Sequence, residues 1–482
     1  MKNSKLIKVL KSFSPKELQN WETYVQSPYF NTNKKVFPLM TYLLRKIKIE
    51  ESIALEKKEI FKKVYPSRTY DENYLRKQFS ILFQLLKGYL AQVHWQNSGL
   101  EKELSLFQSL EKRKLDSLYH IQEQSLSKEF NLQLRPDANH FYLQFQMQKT
   151  ADNYFSKKQT RQFDVALQEK INHLDTFYLI EKLKGSCEML NRKKIVEGNY
   201  EWNLVNEIVE FLQQENPLSE IPMIKIYLQI FQTLQDEKNE NHFEILTTLL
   251  EKYQNDFPQE EAVAMYRYAQ NFCIRKINQG KSEYFRKLFE LFQTQLTSQI
   301  NLPNGIISAD DYKNIVTVGL RIKEATWVKD FIFKYKESLS PSMRENVFNY
   351  NLASFYFGTQ DYDAAIQLLN TVRYTDVYYE ISGKIMLAKI YFIIAENNSL
   401  YYFIDAFKLN LKRNKKVAAP YRTSIINFLI QLKKVTRLRA EKDYVDRKIW
   451  RKKHELLRQR IEIISPIIEH NWLLKNLNAE LK

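Results

Sequence analysis

Asn349-Tyr350-Asn351-Leu352-Ala353-Ser354-Phe355-Tyr356, followed by Gly358 and by Asp361-Tyr362-Asp363-Ala364-Ala365-Ile366, is the stretch whose reading decides the fold. It reads as two helices joined by a short turn. Small residues at 353 and 365 let the two helices cross closely, and the neighbouring aromatics fill the gap beside them. The same large-small pair returns as Val318-Gly319 and Leu387-Ala388, 34 residues before and 35 residues after Leu352-Ala353. Ile322, Tyr356 and Tyr391 each follow the small residue by three positions. A recurrence at this period is the signature of stacked helical hairpins, none of which can bury its apolar face alone.

These residues resemble the tetratricopeptide repeat, with the likeness extending over about residues 220–413. Tyr268-Ala269 with Phe272 reads as an earlier, longer copy, and 226–231 and 178–183 read as decayed ones. The resemblance implies an all-α, TPR-like α-α superhelix (a solenoid) that binds a protein or peptide on its surface. This chain departs from the family's pattern in two ways. Only one unit carries the second-helix alanine, Ala365, where the others have Phe331 and Leu400, and the usual late proline is displaced to Pro341. The family's ligand-binding residues are therefore not carried over. A second likeness spans most of the chain. The Ser27-Pro28-Tyr29-Phe30-Asn31 turn, Phe61 with Tyr65-Pro66, and Phe403-Ile404-Asp405-Ala406-Phe407 are similar to a Bacteroidota family of unknown function, which implies a bacterial, cytoplasmic origin.

Composition agrees with helices. Nine glycines in 482 residues fall far below the usual ~7%, so folds that spend Gly on hairpins and phosphate loops are disfavoured. Only Cys187 and Cys273 occur, which suits a reducing compartment better than a disulfide framework. The first ten residues carry lysines but no secretory apolar run, and no stretch reaches the ~18 apolar residues of a membrane span. The expected location is the cytoplasm, without membrane association.

Start signals divide the chain. Ser14-Pro15-Lys16-Glu17 forms a complete capping box, Ser340-Pro341 and Ser465-Pro466 repeat its first half, and Asp71 opens a long helix. Residues 100–130 read as one polar helix. The expected organisation is an N-terminal helical module (1–95), a connector with decayed hairpins (96–220), a TPR-like array (221–413) and basic capping helices (414–482).

Chemistry is scarce. There is no Gly-x-x-x-x-Gly-Lys or Gly-x-Gly-x-x-Gly loop, and no two histidines lie three to five residues apart. Cys187 and Cys273 sit in helical patterns that suit inert core thiols. Glu260-Glu261 and Asp310-Asp311 fit helix N-termini. No enzyme, cofactor or metal is expected. Tyr74-Leu75-Arg76-Lys77-Gln78-Phe79-Ser80 is similar to a winged-helix recognition helix, but the pattern continues helically through Gly88 with no hairpin after it.

The formal charge of +17 is concentrated. Residues 408–460 hold 18 Lys/Arg against four acids. Lys433, Lys434 and Arg437 share one helical face; Arg447, Lys448, Arg451 and Lys452 form a second, with Tyr444 and Trp450 interleaved. These seven cations are candidates for an anionic partner, either an acidic protein or nucleic-acid phosphates. Leu432, Val435, Leu438, Val445, Leu456 and Leu457 equally describe a capping helix whose basic side is merely wet. The leading expectation is a protein-protein scaffold or adaptor that binds a peptide or helix, with Tyr350 and Tyr391 as either groove anchors or core. The alternative is nucleic-acid binding through the basic end.

Overall fold

The computed structural model describes residues 4–48, 57–158, 162–193, 199–372, 377–414 and 417–481. Among them the regular structure is helical; two residues, Ile307 and Leu339, form an isolated bridge. The protein divides into two compact units, 1–178 and 179–482.

In the first unit, α1 (Lys5–Leu10), α2 (Pro15–Gln26), α3 (Phe37–Lys48) and α4 (Lys57–Val64) gather around α5 (Glu72–Asn97). The start signals act as expected. Ser14 Oγ accepts from Glu17 N while the Glu17 carboxylate accepts from Ser14 N at 2.7 Å, and Asp71 accepts from Tyr74 N. Leu75, Phe79, Leu82 and Leu86 of α5 join Trp21, Leu43 and Phe61 in one core. Helix α5 continues unbroken through Gly88, where an added β-carbon would meet the Tyr24 hydroxyl. A second core unites α6 (Leu100–Lys112), α7 (Asp116–Leu132) and α8 (Ala138–Lys157), and the first half of α9 (Val165–Lys193) completes the unit. The single helix expected over 100–130 is thus a hairpin. Lys114 takes a left-handed φ of 58°, and Leu115 N bonds back to Leu110 O, which ends α6 with no Gly or Pro to announce it.

The second unit follows with α10 (Val205–Gln213) and then successive hairpins: α11 (Pro222–Gln235) with α12 (Asn241–Lys252), α13 (Gln259–Asn278) with α14 (Tyr284–Thr297), and α15 (Ala309–Arg321) with α16 (Ala325–Lys334). Next come α17 (Arg344–Gly358) with α18 (Tyr362–Thr371), and α19 (Val377–Ile393) with α20 (Asn397–Arg413). The unit ends with α21 (Ala419–Ala440), α22 (Arg447–Ile463) and α23 (His470–Ala479), which pack together. Each hairpin packs on the next in sequence order. Gly319, Ala353, Ala365 and Ala388 are all buried where helices approach, as the large-small pairs require. Phe331 and Leu400, which replace the alanine at its two equivalents, are buried too.

Four hairpins of this unit close with the same backbone turn as the α6–α7 hairpin. Gly280, Lys323, Gln360 and Ala395 each have positive φ. In each case the next residue's N–H bonds back five positions: Lys281 to Lys276 O, Glu324 to Gly319 O, Asp361 to Tyr356 O, and Glu396 to Tyr391 O, at 2.9–3.0 Å. This is the Schellman arrangement, which satisfies carbonyls that a helix end would otherwise leave orphaned. Two expected starts differ. Ser340-Pro341 forms a turn ahead of α17, and Ser465-Pro466 lies in a segment that Asn427 Nδ2 and Ser424 O hold against α21, so α23 begins only at His470.

Candidate functional site

Within the second unit, α15, α17 and α19, the first helices of three successive hairpins, line a cavity of about 520 Å³ together with Tyr421 of α21 and with Ile468 and Glu469 just before α23. Three of its lining residues occupy one recurring sequence position. Leu320, Ser354 and Lys389, each two residues after the large member of a large-small pair, all reach it. Lys313 Nζ donates to Ser382 Oγ at 3.1 Å and lies 4.9 Å from the centre of the Tyr379 ring, whose hydroxyl donates to Ala309 O. Lys389 pairs with Glu469 at 2.9 Å and lies 5.1 Å from the Trp472 ring. Arg321 lies over Phe285. Three cations against one acid give the cavity a positive field, strengthened by its partly desolvated walls.

Of the two tyrosines considered as anchors, Tyr350 lines the cavity although it is largely buried, and Tyr391 does not line it. Tyr350 is buried, and that burial pushes its hydroxyl up to about 12; Tyr391 is half-buried against Phe403. Lys313, Arg321, Lys389 and Glu469 are not among the residues that the sequence singles out. The spacing of the large-small pairs is the available signal for Lys389, whereas Glu469 comes from the segment before α23, far from any such pair.

The seven candidate cations fall into two groups. On α21, Lys433 is held by Asp405 at 2.8 Å, and Arg437 pairs with Glu441 at the same distance. Lys434 is half-buried; its burial, and then the nearby Arg460, holds its ammonium below the usual range. On α22, Arg447, Lys448, Arg451 and Lys452 are all exposed. The interleaving of aromatics fails at Trp450, which is buried with its Nε1 donating to Leu438 O at 2.8 Å, whereas Tyr444 is exposed. The expected apolar stripe also divides: Leu457 is buried, but Leu456 faces solvent. Trp450 and Leu457 share the side of α22 that meets α21 and α23, and Leu456 lies a full ~100° around the helix from Leu457.

The acids and thiols that the sequence offers elsewhere include two that are tied into local contacts. Glu261, read as a first-turn acid, is also the partner of Lys184 at 2.6 Å and of the Tyr227 hydroxyl. Cys187 Sγ donates to Tyr227 O, and burial raises the pKa of both cysteine thiols. Among the described residues no group of three or more His, Cys, Asp or Glu is placed to hold a metal ion, and no helix is long and apolar enough to cross a membrane. No protein-family model and no curated protein matches the sequence.

Proposed function

We propose that the protein is a non-enzymatic interaction scaffold of the bacterial cytoplasm, with a TPR-like α-solenoid as its array, and that it holds a peptide or helix of a partner protein in the α15/α17/α19/α21 groove. The observation that carries this reading is the convergence of the first helices of three successive hairpins, and of α21, on one cavity, with Lys313, Arg321 and Lys389 around it. A groove built from repeat positions is the surface such arrays use for binding. Its cations favour a segment carrying carboxylates.

The test is affinity capture from lysate with and without nuclease, comparing the native protein with Thr317→Trp and Arg321→Glu. Both positions are exposed in the groove, so the variants keep the fold. The expected result is a protein retained after nuclease treatment and depleted about tenfold or more by either substitution. A partner that disappears on nuclease treatment, or one indifferent to both variants, overturns the reading.

A further inference from the structure

Helix α22 has two unlike sides. Trp450, His454, Leu457 and Ile461 are buried. Away from them, Ile449, Leu456 and Ile463 are 54%, 58% and 82% exposed. They are spaced seven residues apart, so they form a single line roughly 20 Å long on the helix surface. Helical geometry puts Lys448 and Lys452 along one border of that line and Lys453 and Arg460 along the other.

The charges around this line are unbalanced for a specific reason. Arg458 holds both acids of the helix, Glu455 at 2.8 Å and Glu462 at 2.7 Å. Glu441, at the end of α21, is held by Arg437 and by Lys453, each at 2.8 Å. Glu441, Glu455 and Glu462 are thus engaged, and Lys448, Arg451, Lys452 and Arg460 are left without an acidic partner among the described residues.

We propose that this face of α22 docks an acidic amphipathic helix of a partner protein. The partner's apolar side chains lie along Ile449, Leu456 and Ile463, and its carboxylates meet Lys448, Lys452 and Arg460. Docking of this kind reads apolar anchors at helical spacing, with charge setting partner choice. The surface is separate from the groove proposed above. Phosphate binding has no use for the apolar line, and the tryptophan that could stack on bases points inward. A lipid surface asks for a broad apolar face, whereas this line is one residue wide with cations on both sides. A second copy of α22 would bring like charges together.

The experiment titrates the full-length protein into two labelled synthetic helical peptides of roughly 24 residues, both with leucine at heptad positions a and d, one with Glu and the other with Lys at e and g. At about 0.1 M salt, the Glu peptide is expected to bind at least tenfold tighter than the Lys peptide. Leu456→Asp, at an exposed site, should weaken it at least tenfold with an unchanged melting curve. The double variant Lys448→Glu/Lys452→Glu should reverse the preference between peptides. Equal binding of both peptides, binding of neither, or undiminished binding by Leu456→Asp overturns the proposal. So does a single-stranded DNA oligonucleotide or a phosphatidylserine vesicle that binds the native protein and Leu456→Asp alike while the peptides are not discriminated.

Discussion

Gly319 of α15 packs so closely on Val328 of α16 that a β-carbon at 319 would overlap Val328 Cγ2 and stand 3.2 Å from Phe289 Cε2. Gly185, also helical, has nothing within 4 Å of the same position. Ala gains about 0.5–1 kcal/mol over Gly inside a helix, but overpacking costs roughly 1–3 kcal/mol. Gly185→Ala should therefore stabilise the protein, and Gly319→Ala should destabilise it by about 1–2 kcal/mol net. Denaturant midpoints of the two variants check this, and a further Val328→Ala change should partly rescue Gly319→Ala. A neutral Gly319→Ala would show that the close crossing is not a constraint.

The shared hairpin turn makes a second prediction. Lys323, Gln360 and Ala395 carry side chains in the left-handed region, where a β-carbon costs about 1 kcal/mol. Replacing any one by Gly should raise stability by roughly 0.5 kcal/mol, the gain being reduced by the greater freedom of Gly in the unfolded state. Gly280→Ala should do the reverse. Thermal or urea unfolding of the four single variants gives the signs.

Acid sensitivity should concentrate at Glu240. Its hydrogen bond with the Lys281 ammonium, helped by nearby Lys276, holds its carboxyl down to about 2, from 4.5. Because the folded value lies below the unfolded one, the carboxylate stabilises the fold above about pH 4.5, and that contribution is lost as pH falls toward 2. The unfolding midpoint should drop more between about pH 5 and pH 3 in the native protein than in Glu240→Gln, as urea titrations at the two pH values will show. Equal drops would remove Glu240 from the account.

Trp450 tests how the basic end is built. Its Nε1 donates to Leu438 O, one of the last carbonyls of α21, which the helix itself leaves unpaired. Trp450→Phe should therefore cost about 1–3 kcal/mol by stranding that acceptor. Loss of urea resistance with an unchanged m-value is the expected signature. If Trp450 served instead as a surface contact, the change would leave stability untouched.

Much of this was legible because it is local. The Ser14-to-Glu17 box, the Asp71 cap, the first-turn acids Asp310 and Asp311, and the large-small pairs at 318, 352 and 387 depend on neighbours in sequence or on one fixed spacing. The break at Lys114 was hidden because its left-handed turn is imposed by hairpin packing on a residue that gives no local signal. At Ser465-Pro466, contacts from α21, about forty residues earlier, outweigh a favourable start motif. The groove depends on both kinds of information: register brings Leu320, Ser354 and Lys389 together, but only the fold brings Glu469 to Lys389. On α22, the side each residue takes was settled by two neighbouring helices, so Trp450 turned inward and Leu456 outward.

The five-residue back-bond that closes the α6–α7 hairpin and four hairpins of the second unit joins one backbone N–H to one backbone C=O, and apart from the Gly at 280 it asks nothing particular of the side groups beside it. A succession of hairpins closed by backbone geometry keeps its packing order while the residues at its corners are exchanged. That arrangement leaves the residues at each corner free to change one hairpin at a time without disturbing the next.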